Sequence, residues 1–185
     1  MANCFAVDLG LGDERTWSNL VQNCRTLGRF DSGIFATDIV TRLLFEKGEA
    51  ELAYRLLTSC DEVASFGSWK KRGATTLWEC WNGMRSHSHP MFGSVTRYFY
   101  QYFLGIRQAP DSAGYRKLIF KPCLIYDMGK FKGSLQTANG KITVELDAYM
   151  GTGEYIVTLN GDFEAELDLS GLKAPLKKGR NRFRF

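Results

Sequence analysis

The chain has 185 residues, 44% of them hydrophobic, 14% aromatic and 24% charged, with a formal net charge of +4. That length holds one ordinary domain or two small ones, each able to bury a core. Four Pro and 19 Gly exclude a collagen-like or Pro/Gly-dominated disordered chain. No run approaches the roughly 18 consecutive apolar residues of a membrane span. The opening, Met1 to Asp8, has no basic region before its apolar stretch and meets an acid early, so it does not read as a signal peptide, and the compartment stays open. Cys4, Cys24, Cys60, Cys80 and Cys123 are odd in number and show no metal-ligand spacing, so they read as mostly buried free thiols.

The two ends of the chain are built differently. Residues 1–107 hold 12 basic and 11 acidic side chains, all four Trp and both His, whereas residues 108–185 hold 12 basic and 9 acidic. Small residues and Pro110 cluster between Gly105 and Gly114, which sets the expected seam there.

In the first part, Trp17, Leu20, Val21, Cys24 and Leu27 recur at helical spacing over Asp13 to Leu27, and Gly28 supplies a stop. Further helices are predicted over Gly33 to Lys47 and Glu49 to Thr58, and their short links favour helical hairpins. A fourth is expected over Thr75 to Trp81. The fifth, Phe92 to Gly105, is aromatic around more than half its circumference and should be buried on more than one side.

The second part reads as strands: Lys117 to Lys121, Gly133 to Thr137, Lys141 to Leu146 and Tyr155 to Leu159. Asn160-Gly161 has the composition of a two-residue hairpin turn and is expected to join the Tyr155 strand to Phe163–Leu169. There Asp162, Glu164, Glu166 and Asp168 alternate with Phe163, Ala165, Leu167 and Leu169. Short antiparallel strands at this spacing predict a β-sandwich. The tail carries six cations and no acid from Lys173 to Arg184, but basic and stacking residues do not interleave on one face. Its arginines are therefore expected against the acidic Asp162–Asp168 strand, as cross-strand pairs, rather than on nucleic acid.

The chemistry concentrates between Ser68 and Ser94. Glu79 lies between Trp78 and Trp81, and aromatic surroundings tend to raise a carboxylate's pKa toward the range of acid/base work. Indole faces beside a carboxylate also suit a sugar, with C–H faces on the rings and hydroxyls on the charge. The alternative is a Glu placed at a helix N-terminus by the dipole and flanked by core Trp. His87 and His89 are two apart with no third ligand, which does not make a zinc site. Neither a GxSxG turn nor a GxGxxG after a strand is present.

Gly73-Ala74-Thr75-Thr76-Leu77-Trp78-Glu79-Cys80-Trp81 resembles the GATTxWExW signature of the bacterial alpha-L-rhamnosidases, a family of glycoside hydrolases. Arg29-Phe30-Asp31-Ser32-Gly33 with Thr37, Ser65 to Trp69, Ser86 to Val95 and Leu104-Gly105-Ile106 match that family's other blocks in order. The resemblance implies α and β parts in separate domains: the last hairpins of an (α/α) helical-hairpin barrel over residues 1–107, then an antiparallel β-sandwich over 108–185. It also implies inverting release of terminal alpha-L-rhamnose from a glycoside or polysaccharide, without metal or cofactor. Glu79 falls on the family's general base, His89 on its sugar-contacting His, and Trp78 and Trp81 on the pocket walls. Cys80, Asn82 and Ser88 depart from the family pattern. The family's general acid belongs to an earlier stretch of the barrel, and neither Asp31 nor Asp38 matches it by motif. The isolated chain is accordingly expected to be weakly active or inactive, and to self-associate through barrel helices left uncovered. The alternative is a non-catalytic module that binds carbohydrate or complements another chain.

Overall fold

Helices occupy the first part of the chain and strands the second. The computed structural model, which describes residues 2–126 and 128–185, divides them between Thr96 and Arg97. The aromatic segment from Arg97 to Arg107 thus belongs with the strands, although the sequence put the seam after it.

The first unit contains α1 (Ala2–Asp8), α2 (Glu14–Leu27), α3 (Ala36–Glu46), α4 (Ala50–Thr58) and α5 (Phe66–Lys71). Asp13 caps α2 by accepting from the Thr16 N–H at 2.8 Å, an interaction typically worth about 1 kcal/mol. Gly28 ends the helix in the left-handed region, at φ 62°, where a Cβ is costly. Leu20, Val21 and Cys24 of α2, Val40, Leu43 and Leu44 of α3, and Leu52, Leu56 and Leu57 of α4 are buried. α1 packs on α2 and α3, and α4 on α2, α3 and α5. The sequence reading missed two of these helices. α1 is one of them; the other, α5, was signalled by Ser65, whose hydroxyl accepts from the Ser68 N–H at 2.9 Å.

The predicted helix over Phe92 to Gly105 is broken. Pro90–Thr96 forms a 3₁₀ segment, and Phe99–Phe103 a π turn in which the Leu104 N–H donates to Phe99 O at 2.9 Å. The wider π turn aligns Tyr98 with Tyr102 and Phe99 with Phe103, whose ring centroids lie 5.7 and 5.3 Å apart. Tyr98, Tyr102 and Phe103 are buried as expected, but Tyr100 is exposed.

The second unit holds β1 (Ile106–Gln108), β2 (Lys117–Phe120), β3 (Gly129–Thr137), β4 (Gly140–Tyr149), β5 (Thr152–Gly161), β6 (Glu164–Leu169), β7 (Leu172–Pro175) and β8 (Gly179–Arg184). They form two four-stranded sheets, ordered β1-β2-β6-β7 and β3-β4-β5-β8. Alternation buries Ile142, Val144, Leu146 and Ala148 of β4 on one face, and Leu118, Phe120, Leu167 and Leu169 of the other sheet likewise. Pairing is antiparallel throughout except between β2 and β6, which run parallel, so the fully antiparallel expectation is corrected at that position.

Asn160-Gly161 makes no hairpin. β5 and β6 lie in different sheets, so the dipeptide ends one strand where the chain crosses to the other sheet. The arginine tail moves with this correction: β8 pairs with β5, and Arg182 and Arg184 meet Glu154 at 2.5 and 3.6 Å rather than the acidic strand. Asp168 and Glu164 of that strand pair instead with Lys121 and Lys117. The cysteine reading is also corrected: Cys4 and Cys24 are buried, Cys80 and Cys123 half-buried and Cys60 exposed. Burial pushes the Cys24 thiol up to about 11.

Hydrogen bonds from Arg182 and from Lys121 hold the Glu154 and Asp168 carboxyls below the usual range. A carboxyl depressed in the folded state stabilises above its unfolded pKa, near 4, and that contribution fades as pH falls through the folded value. The urea midpoint is therefore expected to drop between pH 7 and pH 3, and to drop less in Glu154→Gln. Equal drops in both proteins would refute the assignment.

Candidate active site

The stretch predicted as a helix over Thr75 to Trp81 is instead one arm of a laced loop. Thr76 Oγ1 donates to His87 O, the His89 N–H to Leu77 O at 2.8 Å and the Glu79 N–H to Ser86 O at 2.8 Å. The Ser86 N–H returns a bond to Glu79 Oε2 at 3.4 Å. Backbone donors that a helix would have used are spent across the loop, so the placing of Glu79 by a helix dipole falls away. The loop turns at Cys80 to Gly83, where the Gly83 N–H donates to Cys80 O at 2.9 Å. Arg72 holds the same turn from outside, donating to Trp81 O at 3.3 Å and Asn82 O at 2.9 Å while its guanidinium lies 4.6 Å over Trp78.

Glu79 and Trp81 open together on a cleft of about 530 Å³, which Arg29, Asp31, Ser32 and Phe92 also line. Trp81 is held on several sides. Its ring is parallel to Phe30 at 6.0 Å and packs against Phe92 at 4.2 Å, Trp69 at 4.8 Å and Phe66 at 5.3 Å. Its indole N–H donates to Ser32 O at 2.6 Å. Thr37, the next anchor, shares a 2.9 Å hydrogen bond with the Ser32 hydroxyl and bonds Gly33 O at 2.9 Å.

Trp78 does not line this cleft. It is buried between Arg72 and His87, whose ring stacks on it at 4.1 Å and 10°. His89 is half-buried outside the cleft lining, and its Nδ1 is buried without a hydrogen-bond partner among the described residues. Of the four residues singled out in the sequence, Glu79 and Trp81 are thus brought together, Trp78 braces the loop, and His89 stands apart. The reading gave no role to Arg29, Asp31 and Phe92. For Arg29 and Asp31 a signal was available in the crowding of charge and glycine over Arg29–Gly33 between two helices, where loops carry function; for Phe92 there was none. Among the described residues, no group of three or more His, Cys, Asp or Glu is arranged to hold a metal ion.

The family model for the bacterial alpha-L-rhamnosidase 6 hairpin glycosidase domain matches residues 1–103. That class comprises glycoside hydrolases, and the chain belongs to the bacterial alpha-L-rhamnosidase family within it. It is 31% identical over 149 residues to an alpha-L-rhamnosidase of Alteromonas sp. (strain LOR), covering 73% of this chain and 16% of that protein. The chain therefore spans about a sixth of that relative's length. The structure of alpha-L-rhamnosidase from Dictyoglumus thermophilum matches 98% of this chain and 25% of its own, with TM-score 0.84 and 26% identity. The alpha-L-rhamnosidase of Streptomyces avermitilis, solved with L-rhamnose, shares the fold over the whole chain at TM-score 0.83 and 19% identity.

Gly83 sits at φ 72°, and a Cβ there would lie 2.7 Å from both the Trp78 ring and the Arg72 guanidinium. Gly83→Ala is expected to lower stability by more than about 1 kcal/mol, because both backbone and neighbours resist it. Thermal unfolding measures this, and an unchanged melting temperature would show that the turn does not depend on the packing described.

Proposed function

We propose that the chain is the part of an inverting alpha-L-rhamnosidase that supplies the water-activating base, and that Glu79 is that base. In this reaction the carboxylate takes a proton from water as the water oxygen attacks the anomeric carbon. A second carboxyl, roughly 6.5–9.5 Å away, protonates the departing glycosidic oxygen. The substrate is a glycoside or polysaccharide ending in alpha-L-rhamnose, and the scheme needs only two carboxyl groups and water. The observation that carries the reading is the opening of Glu79 and the Trp81 ring on one cleft, in a chain of this family.

Trp81 offers an apolar face to the sugar ring, while Arg29 and Asp31 on the same cleft suit hydroxyls. His89 contacts the sugar in this reading. That role rests on the family correspondence, and the contact falls to the exposed part of its half-buried ring, since Nδ1 is buried. Trp78 acts behind the loop, keeping Glu79 in place. The helical unit corresponds to the last hairpins of the six-hairpin barrel.

The general acid is assigned to another part of the barrel, so the 185-residue polypeptide alone should hydrolyse an aryl alpha-L-rhamnoside weakly or not at all. Turnover by this polypeptide that vanishes in Glu79→Gln would contradict this. Joined to the other hairpins of a six-hairpin domain, the chain should release β-L-rhamnose first, followed by NMR. Glu79→Gln should then lower kcat about 10²–10⁴-fold with little change in KM. Release of the α anomer, or an unaltered kcat in the variant, refutes the mechanism. Calorimetric rhamnose binding without turnover in the joined protein would favour the non-catalytic module.

Leu9, Leu11, Phe35 and Val63 of the first unit are each at least 60% exposed, against the burial such side chains prefer. The chain alone is therefore expected to self-associate through its helical unit. Sedimentation should show oligomers whose proportion grows with concentration, and a monodisperse monomer would count against it.

A further inference from the structure

An asparagine followed by glycine can lose its side-chain amide, because glycine has no Cβ to shield the next backbone nitrogen. The chain contains three such pairs: Asn82-Gly83, Asn139-Gly140 and Asn160-Gly161. The fold treats them differently. Asn139 has its amide nitrogen tied to Gly114 O at 2.8 Å, and Gly140 is paired in the ladder of β3 and β4. Asn160 and Gly161 lie within β5, opposite Lys141 and Gly140 of β4. Closing a ring at either place requires a sheet to open. Asn82 is exposed instead, in a turn that leads to Met84, itself 83% exposed to solvent.

Two hydrogen bonds at this turn prepare the chemistry. The Met84 N–H donates to Asn82 Oδ1 at 3.1 Å, which polarises the carbonyl that would be attacked and supports the oxyanion formed there. Arg72 Nη2 donates to Asn82 O at 2.9 Å. That oxygen belongs to the peptide whose nitrogen is Gly83 N, so the guanidinium favours the charge left when the nitrogen loses its proton. The Gly83 N–H itself donates to Cys80 O at 2.9 Å, and this single bond must open first. Opening one exposed turn costs less than opening a ladder. We propose that Asn82 is a site of self-modification, at which the folded chain turns its own amide into a carboxylate on the lining of the Glu79 cleft. Solvent base takes the Gly83 proton, and Gly83 N bonds to Asn82 Cγ. The Cγ–Nδ2 bond breaks, and the amide nitrogen leaves as ammonia with a proton from water. One water then opens the succinimide at either carbonyl, giving aspartate or isoaspartate. In the isoaspartyl product the former Asn82 C=O becomes the free carboxylate, and its oxygen is the one Arg72 already holds. Each event adds one negative charge beside Glu79, so the cleft of an aged chain is more acidic than that of a fresh one.

The test is incubation of the 185-residue chain at pH 8, with samples taken over time for tryptic mass spectrometry. The peptide Gly73–Arg85 reports Asn82 alone, since it holds no other Asn. In the folded chain Asn82 should be converted at least tenfold faster than Asn139 or Asn160. In guanidinium chloride the three rates should come within about threefold of one another, because each dipeptide is then governed by its sequence. Isoelectric focusing of the folded chain should show an acidic species that grows with time. Asn82→Gln, whose longer side chain closes a ring slowly, should lose that species. An unchanged Gly73–Arg85 peptide, equal rates at the three sites in the folded chain, a tenfold preference that survives unfolding, or undiminished acidic species in Asn82→Gln would each overturn the proposal. None of these outcomes bears on whether Glu79 is a base.

Discussion

The helical unit depends on how one indole is held. Trp81 is half-buried, yet its ring meets Phe30, Phe66, Trp69 and Phe92, and its N–H reaches Ser32 O at 2.6 Å. Those partners come from the link before α3, from α5 and from the 3₁₀ segment. A single side chain therefore joins parts of the sequence that share no backbone ladder. Aromatic contacts of this kind contribute about 0.5–1.5 kcal/mol each beyond burial, and losing an indole N–H partner in such a setting costs more than an exposed bond would. Glu79 enters the cleft because it sits two residues from this anchor, in a loop whose own bonds fix the spacing. The carboxylate is positioned by the packing of its neighbour more than by contacts of its own.

Where periodicity was strong, sequence and structure agree. α2 begins after Asp13 and ends at Gly28 because an acceptor and a residue free of Cβ strain stand at the two ends. β4 alternates because one face is buried. Two of the failures share another cause: they occur where long-range bonds replaced local ones. Thr75 to Trp81 has helical spacing of apolar residues, but its backbone donors and acceptors pair with Ser86 to His89. Asn160-Gly161 has hairpin composition, but β8 takes the edge of β5 that a hairpin would have filled. Turn residues announce a change of direction and say nothing of which strand receives the chain.

The candidate site was legible to the same degree. Glu79 and Trp81 stood out because a carboxylate among indoles is chemically unusual, and they do meet on one cleft. Trp78, one residue before Glu79, looked equivalent in the sequence. Only the folded loop reveals that it faces away, between Arg72 and His87. Arg29 and Asp31 join the cleft from nearly fifty residues upstream, as the 49-residue separation of the Trp81–Ser32 bond shows. No local pattern could have reported that.

The π turn at Phe99–Phe103 carries a different consequence. It holds one more residue per turn than an α-helix would, and each residue of a regular helix advances the direction of the chain by about 100°. Deleting a single residue there would let the turn rewind and would swing the entry to β1 by roughly that angle. An insertion or a deletion of one residue in this segment would re-aim the chain that follows. Length, as much as the buried aromatic side chains, is what inheritance must preserve at this point.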